Sequence, residues 1–335
     1  MPSSTDPHRA PSGADIEAAA RRIAPWVRTT PLLSLTLPEL PGTAIELKLE
    51  FMQISGTFKA RGAFARLLRA RNEAGDTGQP LPERVVAASG GNHGIAVAHA
   101  AQALGMSADI FVPRTAPSAK LQALRALGAT VHAEGEDYAQ ALQASQQFTA
   151  DTGALVSHAY DQFDTLAGQA TVAREWLQQT RGLDVMLVAV GGGGLIGGMA
   201  AWIAAHAAQG MPVPTLIAVE STGCATLGAA MAAGRIVDIQ PGGLAADSLG
   251  ARRVGELMFP LAQRHIAQCV QVSDDAIRAA QRRLWSSARI AVEPGGATAL
   301  AALSSGAWTP APGLRVGVLV CGANVDLASF TGPAA

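Results

Sequence analysis

Residues 185–219 read VMLVAVGGGGLIGGMAAWIAAHAAQGMPVPTLIAV and contain no Asp, Glu, Lys or Arg. Length alone would let such a stretch cross a membrane as a helix. Gly191, Gly192, Gly193 and Gly194, then Gly197, Gly198, Pro212 and Pro214, cut it into shorter pieces. The reading is a buried strand over 185–190, a glycine turn, a small-residue helix over 195–208 and a second buried strand over 215–219. Uncharged strands joined through a helix belong to a parallel sheet covered on both faces. No membrane partner is expected.

The same alternation extends in both directions. Upstream, a β-branched strand over 84–88 turns at Gly90, Gly91 and Asn92 into an apolar helix over 93–104. A strand over 108–112 follows, then a helix with Pro117 in its first turn that reaches 127 and closes at Gly128. Strands over 130–133 and 155–157 flank a helix over 137–149. Helices are expected over 165–179, 274–287 and 296–304, and a last strand over 315–320. Near the start, Ser12 and Asp15 pair as cap and partner of a helix that stops near Pro25, and 45–50 reads as a strand. Residues 1–11 read as a flexible polar tail and not a signal peptide. The glycine-rich segment 224–268 shows no clear period. The expected fold is α/β, with two parallel-sheet lobes, flanking helices and a cleft between them.

Composition narrows the function. Of 335 residues 49% are hydrophobic and 15% charged, with a formal net charge of −1 and a mean hydropathy of +0.21. Disorder is excluded, and no basic field invites nucleic acid. Three isolated cysteines, Cys224, Cys269 and Cys321, form no CxxC pair, which fits a reducing cytoplasmic setting and carries no zinc signature. Among the 25 basic residues only Lys48, Lys59 and Lys120 are lysine. Arginine supplies surface charge equally well but is not deprotonated in proteins. A surviving lysine is therefore a candidate for chemistry that needs a neutral amine. Lys59 stands among small and apolar residues in SGTFKARGA (55–63), where desolvation would lower its pKa toward what a Schiff base requires. Lys48 and Lys120 read as surface or structural charges.

Three further turns carry chemistry. Residues 191–194 lie between a strand and a helix, where converging N–H groups and the helix N-terminus favour an anion or phosphate. Gly192, Gly194 and Gly197 also fit a dinucleotide fingerprint with Glu220 as the ribose acid, so a Rossmann dehydrogenase is a remote alternative. SGGNHG (89–94) presents N–H groups suited to a carboxylate, or is a plain turn capped by Asn92. EPGGA (293–297) opens a helix with an acid, where the dipole favours one.

Taken in order, SGTFKARGA, SGGNHG, AGQAT (167–171), GGGGLIGG (191–198), EPGGA and VCGANVD (320–326) resemble the serine/threonine dehydratases. These are threonine ammonia-lyase-like enzymes of the tryptophan-synthase-β-like class (fold type II) that use pyridoxal 5'-phosphate. The resemblance runs from about Trp26 to Asp326. It implies a large, cofactor-binding domain from 1–82 with 158–335, and a small domain from 83–157. It further implies that Lys59 forms the Schiff base with the cofactor and, once freed, takes the substrate α-proton. Phe58 would pack on the ring and Asn92 reach the ring hydroxyl. Gly191, Gly192, Gly193, Gly194 and Leu195 would hold the phosphate. Ser89, Gly90, Asn92 and His93 would surround the substrate carboxylate, and Cys321 would sit beside the pyridine nitrogen. A neutral thiol there makes the ring a weaker electron sink, favouring loss of a β-substituent. The implied reaction converts an L-β-hydroxy amino acid (threonine, serine or a bulkier analogue such as phenylserine) to a 2-oxo acid and ammonia.

Three departures qualify the resemblance. Serine racemases of this fold usually carry a catalytic serine where Gly90 stands, so racemase or β-replacement activity is the alternative. Members that bind a divalent cation use a glutamate, a carbonyl four residues on and an aspartate six on. Glu220 and Cys224 match, but the third position is Thr226, so no metal is expected. The regulatory domain of biosynthetic threonine dehydratases is not expected, nor feedback control through it. The β-substituent pocket is expected near 157–163 and 242–248. A homodimer is the prior on symmetry. A non-catalytic ligand-binding module is the remaining reading.

Overall fold

In a computed structural model, residues 9–325 are described. Ten strands form two sheets. β1 (Leu32–Leu35), β2 (Ala44–Lys48), β7 (Val185–Ala189), β8 (Thr215–Ser221), β9 (Ile266–Val272) and β10 (Arg315–Leu319) make a six-stranded sheet in the order β1-β2-β10-β7-β8-β9. Only the β1–β2 pair is antiparallel. β3 (Arg84–Ala88), β4 (Ser107–Val112), β5 (Thr130–Ala133) and β6 (Leu155–Val156) make an all-parallel sheet in the order β5-β4-β3-β6. The chain thus leaves the large sheet after β2, builds the small one, and returns at β7. No helix among the described residues is long and apolar enough to cross a membrane.

Burial follows the uncharged runs. All five residues of β7 are buried, as are ten successive residues of the helix Gly194–Ala207, from Gly194 to Ile203. The helix Lys59–Thr77 joins the two lobes, packing on Asn92–Ala103 on one side and Phe163–Gln179 on the other. It approaches the latter closely at Gly168, where a Cβ would lie 2.5 Å from the Arg61 carbonyl oxygen and 2.7 Å from the Gly62 Cα.

The structure corrects several expectations. β1 and β9 were not legible, and the helices Thr226–Ala233 and Phe259–His265 lie in the segment that showed no period. Pro117 is the cap residue before the helix Ser118–Ala126, outside its first turn. Residues 9–11 are not a loose tail: Arg9 pairs with Asp15 at 2.7 Å and stacks over the Phe163 ring, and Pro11 is buried. Residues 1–8 of that tail, and Asp326 of the VCGANVD motif, lie outside the described residues. Lys48 is no surface charge. It is fully buried, its Nζ 2.5 Å from Glu175 Oε1 and 2.8 Å from the Thr30 carbonyl oxygen. Glu175 also receives Arg61, which pairs with the fully buried Glu50 at 2.6 Å. Buried charges persist only when paired in this way.

Candidate active site

The helix Lys59–Thr77 begins at Lys59 without a side-chain cap. The segment before it is stitched to the end of β10: Phe51 N donates to the Val320 carbonyl at 2.9 Å, Phe58 N to the Cys321 carbonyl at 3.2 Å, and Thr57 bridges Gly322. This directs Lys59 into a cavity it lines together with Phe58, Asn92, Tyr160, Glu293 and Cys321. Its Nζ donates to the Ala159 carbonyl at 2.6 Å and lies 5.1 Å from the Phe58 ring centroid. Desolvation lowers the Lys59 pKa to about 8, only partly opposed by Cys321 and Glu293.

Gly191, Gly192, Gly193, Gly194 and Leu195 line the same cavity. Gly193 is the cap residue of the helix Gly194–Ala207 with φ +84°, a left-handed conformation that favours glycine. A Cβ on Gly192 would collide with the Tyr160 ring. Among the described residues, the N–H groups of Gly192, Gly193 and Gly194 donate to no protein acceptor. Three free donors at a helix N-terminus make an anion cradle.

The remaining wall is polar. Asn324 Nδ2 donates to Asn92 Oδ1 at 2.7 Å, and Asn92 Nδ2 donates to Glu293 Oε1 at 2.7 Å. Asn92 therefore does not cap its own helix; Gly91 occupies the cap position with no side-chain bond. Burial raises the Glu293 pKa to about 7, partly opposed by the Asn92 bond. Burial also raises the pKa of the Cys321 thiol, whose Sγ donates to the Gly295 carbonyl at 3.4 Å, and keeps it neutral.

Phe58, Lys59, Asn92, residues 191–195 and Cys321 thus meet around one cavity. Ser89, Gly90 and His93 do not line it. The His93 ring is buried with Nε2 2.9 Å from the Ser157 carbonyl oxygen, and burial, with Lys59 nearby, depresses its pKa to about 3. Its side chain is neutral and committed, which leaves the turn's main-chain N–H groups, and not the imidazole, for a carboxylate.

Tyr160, Ser248, Leu249 and Gly295 are lining residues that were not singled out. Tyr160 and Ser248 fall within the two segments expected near the β-substituent. His158 Nδ1 accepts from the N–H groups of Asp161 at 2.9 Å and Tyr160 at 3.3 Å, fixing this loop, and burial raises the Tyr160 pKa to about 12.

Glu220 is fully buried and accepts the N–H groups of Leu227 at 2.7 Å and Gly228 at 2.8 Å. It is not free to bind a ribose, so the dinucleotide reading fails. Among the described residues no cluster of three or more His, Cys, Asp or Glu is placed to hold a metal ion.

Residues 23–322 match the family of pyridoxal-phosphate dependent enzymes. The chain is 37% identical over 310 residues to a phenylserine dehydratase from Ralstonia pickettii, covering 92% of each protein. It is 32% identical to an L-threonine ammonia-lyase from Thermotoga maritima, covering 93% of this chain and 75% of the other. Among solved structures, a maize serine racemase superimposes with a TM-score of 0.87 at 32% identity over 96% of both chains. A serine racemase from Dictyostelium discoideum gives 0.83 at 30% identity, covering 94% of this chain and 99% of the other.

Proposed function

The chain belongs to the pyridoxal-phosphate dependent enzymes, and on that premise we propose that it is a dehydratase that eliminates water from an L-β-hydroxy amino acid, the released enamine then taking up water and yielding a 2-oxo acid and ammonia. Threonine, serine and bulkier analogues such as phenylserine are the substrate class. One observation carries the reading: a desolvated lysine amine and a cradle of glycine N–H groups that donate to no acceptor among the described residues share one cavity.

The residues fit the cofactor. Residues 191–195 would hold its phosphate, Phe58 its ring face, Asn92 the ring hydroxyl and Cys321 the ring nitrogen. Pyridoxal phosphate, when bound, supplies the electron sink for the pair left at the substrate α-carbon. The chain's own groups do the rest. With a pKa near 8, Lys59 exists partly as a free amine at neutral pH and takes the α-proton, the Ala159 carbonyl orienting its Nζ. Cys321 donates to Gly295 and stays un-ionised, so no negative charge reinforces a proton on the ring nitrogen. The sink is correspondingly weak, which suits prompt departure of the β-hydroxyl. N–H groups of the 89–92 turn hold the substrate carboxylate.

Racemisation is the second reading, favoured by likeness to serine racemases. Against it stands Gly90, which has no side chain to carry a proton to the opposite face; a Cβ there would lie 3.1 Å from Val112 Cγ1. We further assign residues 1–82 and 158–335 to a large domain and 83–157 to a small one. The enzyme is taken as a cytoplasmic homodimer, consistent with cysteines that are all free. Lys59→Ala is expected to abolish the visible cofactor band and oxo-acid release from serine, threonine and phenylserine. Oxo acid formed at the wild-type rate would overturn the assignment, and chiral analysis of recovered serine separates dehydration from racemisation.

A further inference from the structure

The glycine turn holds its donors toward the cavity because its acceptors are held elsewhere. Thr226 Oγ1 donates to the Gly191 carbonyl at 2.6 Å. Gly255 N donates to the Gly192 carbonyl at 3.0 Å, and Gly197 N to the Gly193 carbonyl at 2.8 Å. Neither Thr226 nor Gly255 lines the cavity. In a trans peptide the carbonyl of one residue and the N–H of the next point in opposite directions, and no peptide in the described chain is cis. Fixing the Gly191 and Gly192 carbonyls outward therefore aims the N–H groups of Gly192 and Gly193 inward. A bare glycine run would not hold this arrangement, since glycine peptides rotate freely.

Thr226 is itself anchored. It opens the helix Thr226–Ala233 and is fully buried. The next two N–H groups, of Leu227 and Gly228, bond to the two carboxyl oxygens of Glu220 at the end of β8, and Glu220 Oε1 lies 3.3 Å from Thr226 Oγ1. The buried carboxyl thus clamps the helix start beneath the turn.

We propose that Thr226, clamped by Glu220, is a positioning residue for the phosphate of the cofactor, acting through the Gly191 carbonyl to pre-aim the Gly192 N–H. This rests on the reading of residues 191–195 as the phosphate site. Valine keeps the shape of threonine and removes the hydroxyl, leaving the partly buried Gly191 oxygen without its donor. Serine restores the donor.

The test titrates cofactor-free wild type, Thr226→Val and Thr226→Ser with pyridoxal 5'-phosphate and, separately, with pyridoxal, which lacks the phosphate. Absorbance reads binding, and thermal melts of the cofactor-free proteins are taken alongside. Thr226→Val should lose about tenfold in affinity for the phosphate ester, the weight of one hydrogen bond and its unsatisfied partner. Its pyridoxal affinity should stay within about twofold, and Thr226→Ser should recover most of the loss. Wild-type affinity for the phosphate ester in Thr226→Val would overturn the proposal. So would an equal loss for both ligands, with or without a lowered melting point, because that is what a purely structural role produces. A wild type that binds pyridoxal as tightly as its phosphate ester would instead overturn the phosphate site itself.

Discussion

The amines of Lys48 and Lys59 are both desolvated, but their company differs. Lys48 has Glu175, Gln179 and the Thr30 carbonyl around its Nζ. Lys59 has the Ala159 carbonyl and, among the described residues, no carboxylate partner. Burial lowers the pKa of both, but at Lys48 the charge and hydrogen bond of Glu175 oppose the fall; Lys59 has no such ion pair among the described residues and falls to about 8. Only the neutral amine attacks an aldehyde. The rate at which the cofactor-free enzyme captures pyridoxal phosphate should therefore rise with pH, bend near 8 and flatten above. A stopped-flow series that keeps climbing toward pH 10 would contradict the depressed pKa. Scarcity of lysine was enough to single out Lys59 from sequence. For Lys48 it left surface and structural charge both open; the structure shows the structural one, whose partner Glu175 is remote in sequence, so no local pattern signals the pair. Tyr160 lay within the expected stretch 157–163 but was not picked out by itself, because its place in the cavity depends on packing against the sequence-remote Gly192 and Gly194.

Elements were legible where a hydrophobic run stood between turn residues. β3 and β7 announced themselves this way, as did the helices after them. β9 did not, because it lies at a sheet edge, mixes Gln268 and Gln271 into its length, and follows the helix Phe259–His265 with no intervening turn. A strand half open to solvent and unpunctuated offers no period to read. The helix crossing at Gly168 is a different kind of element-scale fact, set by contact and not by pattern. Gly168→Ala should push the helices Lys59–Thr77 and Phe163–Gln179 apart and cost about 1–3 kcal/mol, as overpacking does. A lowered thermal midpoint would register it. An unchanged midpoint would mean that the crossing relaxes freely.

At the scale of the molecule, the cleft is spanned by few polar contacts. Asn92 reaches Glu293 from the lobe of the small sheet, and Lys120 on the helix Ser118–Ala126 pairs with Asp247 on the short helix Ala246–Leu249. Asp247 adjoins the cavity-lining Ser248 and Leu249. The Lys120–Asp247 pair is partly exposed, and such pairs contribute about 0–1 kcal/mol. Lys120→Ala should raise KM by no more than about fivefold, leave kcat nearly unchanged, and show a smaller effect at high salt. A large fall in kcat would place Lys120 in the chemistry. Two lobes with a cleft were foreseeable from the alternation alone. That the large sheet takes strands from both sides of the small one came only from the resemblance, because strand order is invisible to periodicity.

That split assembly bears on how the protein is made. Lys59 is translated long before the backbone that fixes it, at Val320, Cys321 and Gly322, emerges from the ribosome. β2 closes onto β10 across most of the chain, a contact of very high sequence separation and slow to form. The small sheet, by contrast, is complete once β6 is made, and is free to fold during synthesis as a unit. A ribosome-bound intermediate would then hold a finished small lobe beside an unclosed large sheet, with Lys59 still without a pocket. Appearance of the yellow cofactor colour would mark closure of β10 onto β2, which makes cofactor capture a timer for that step of folding.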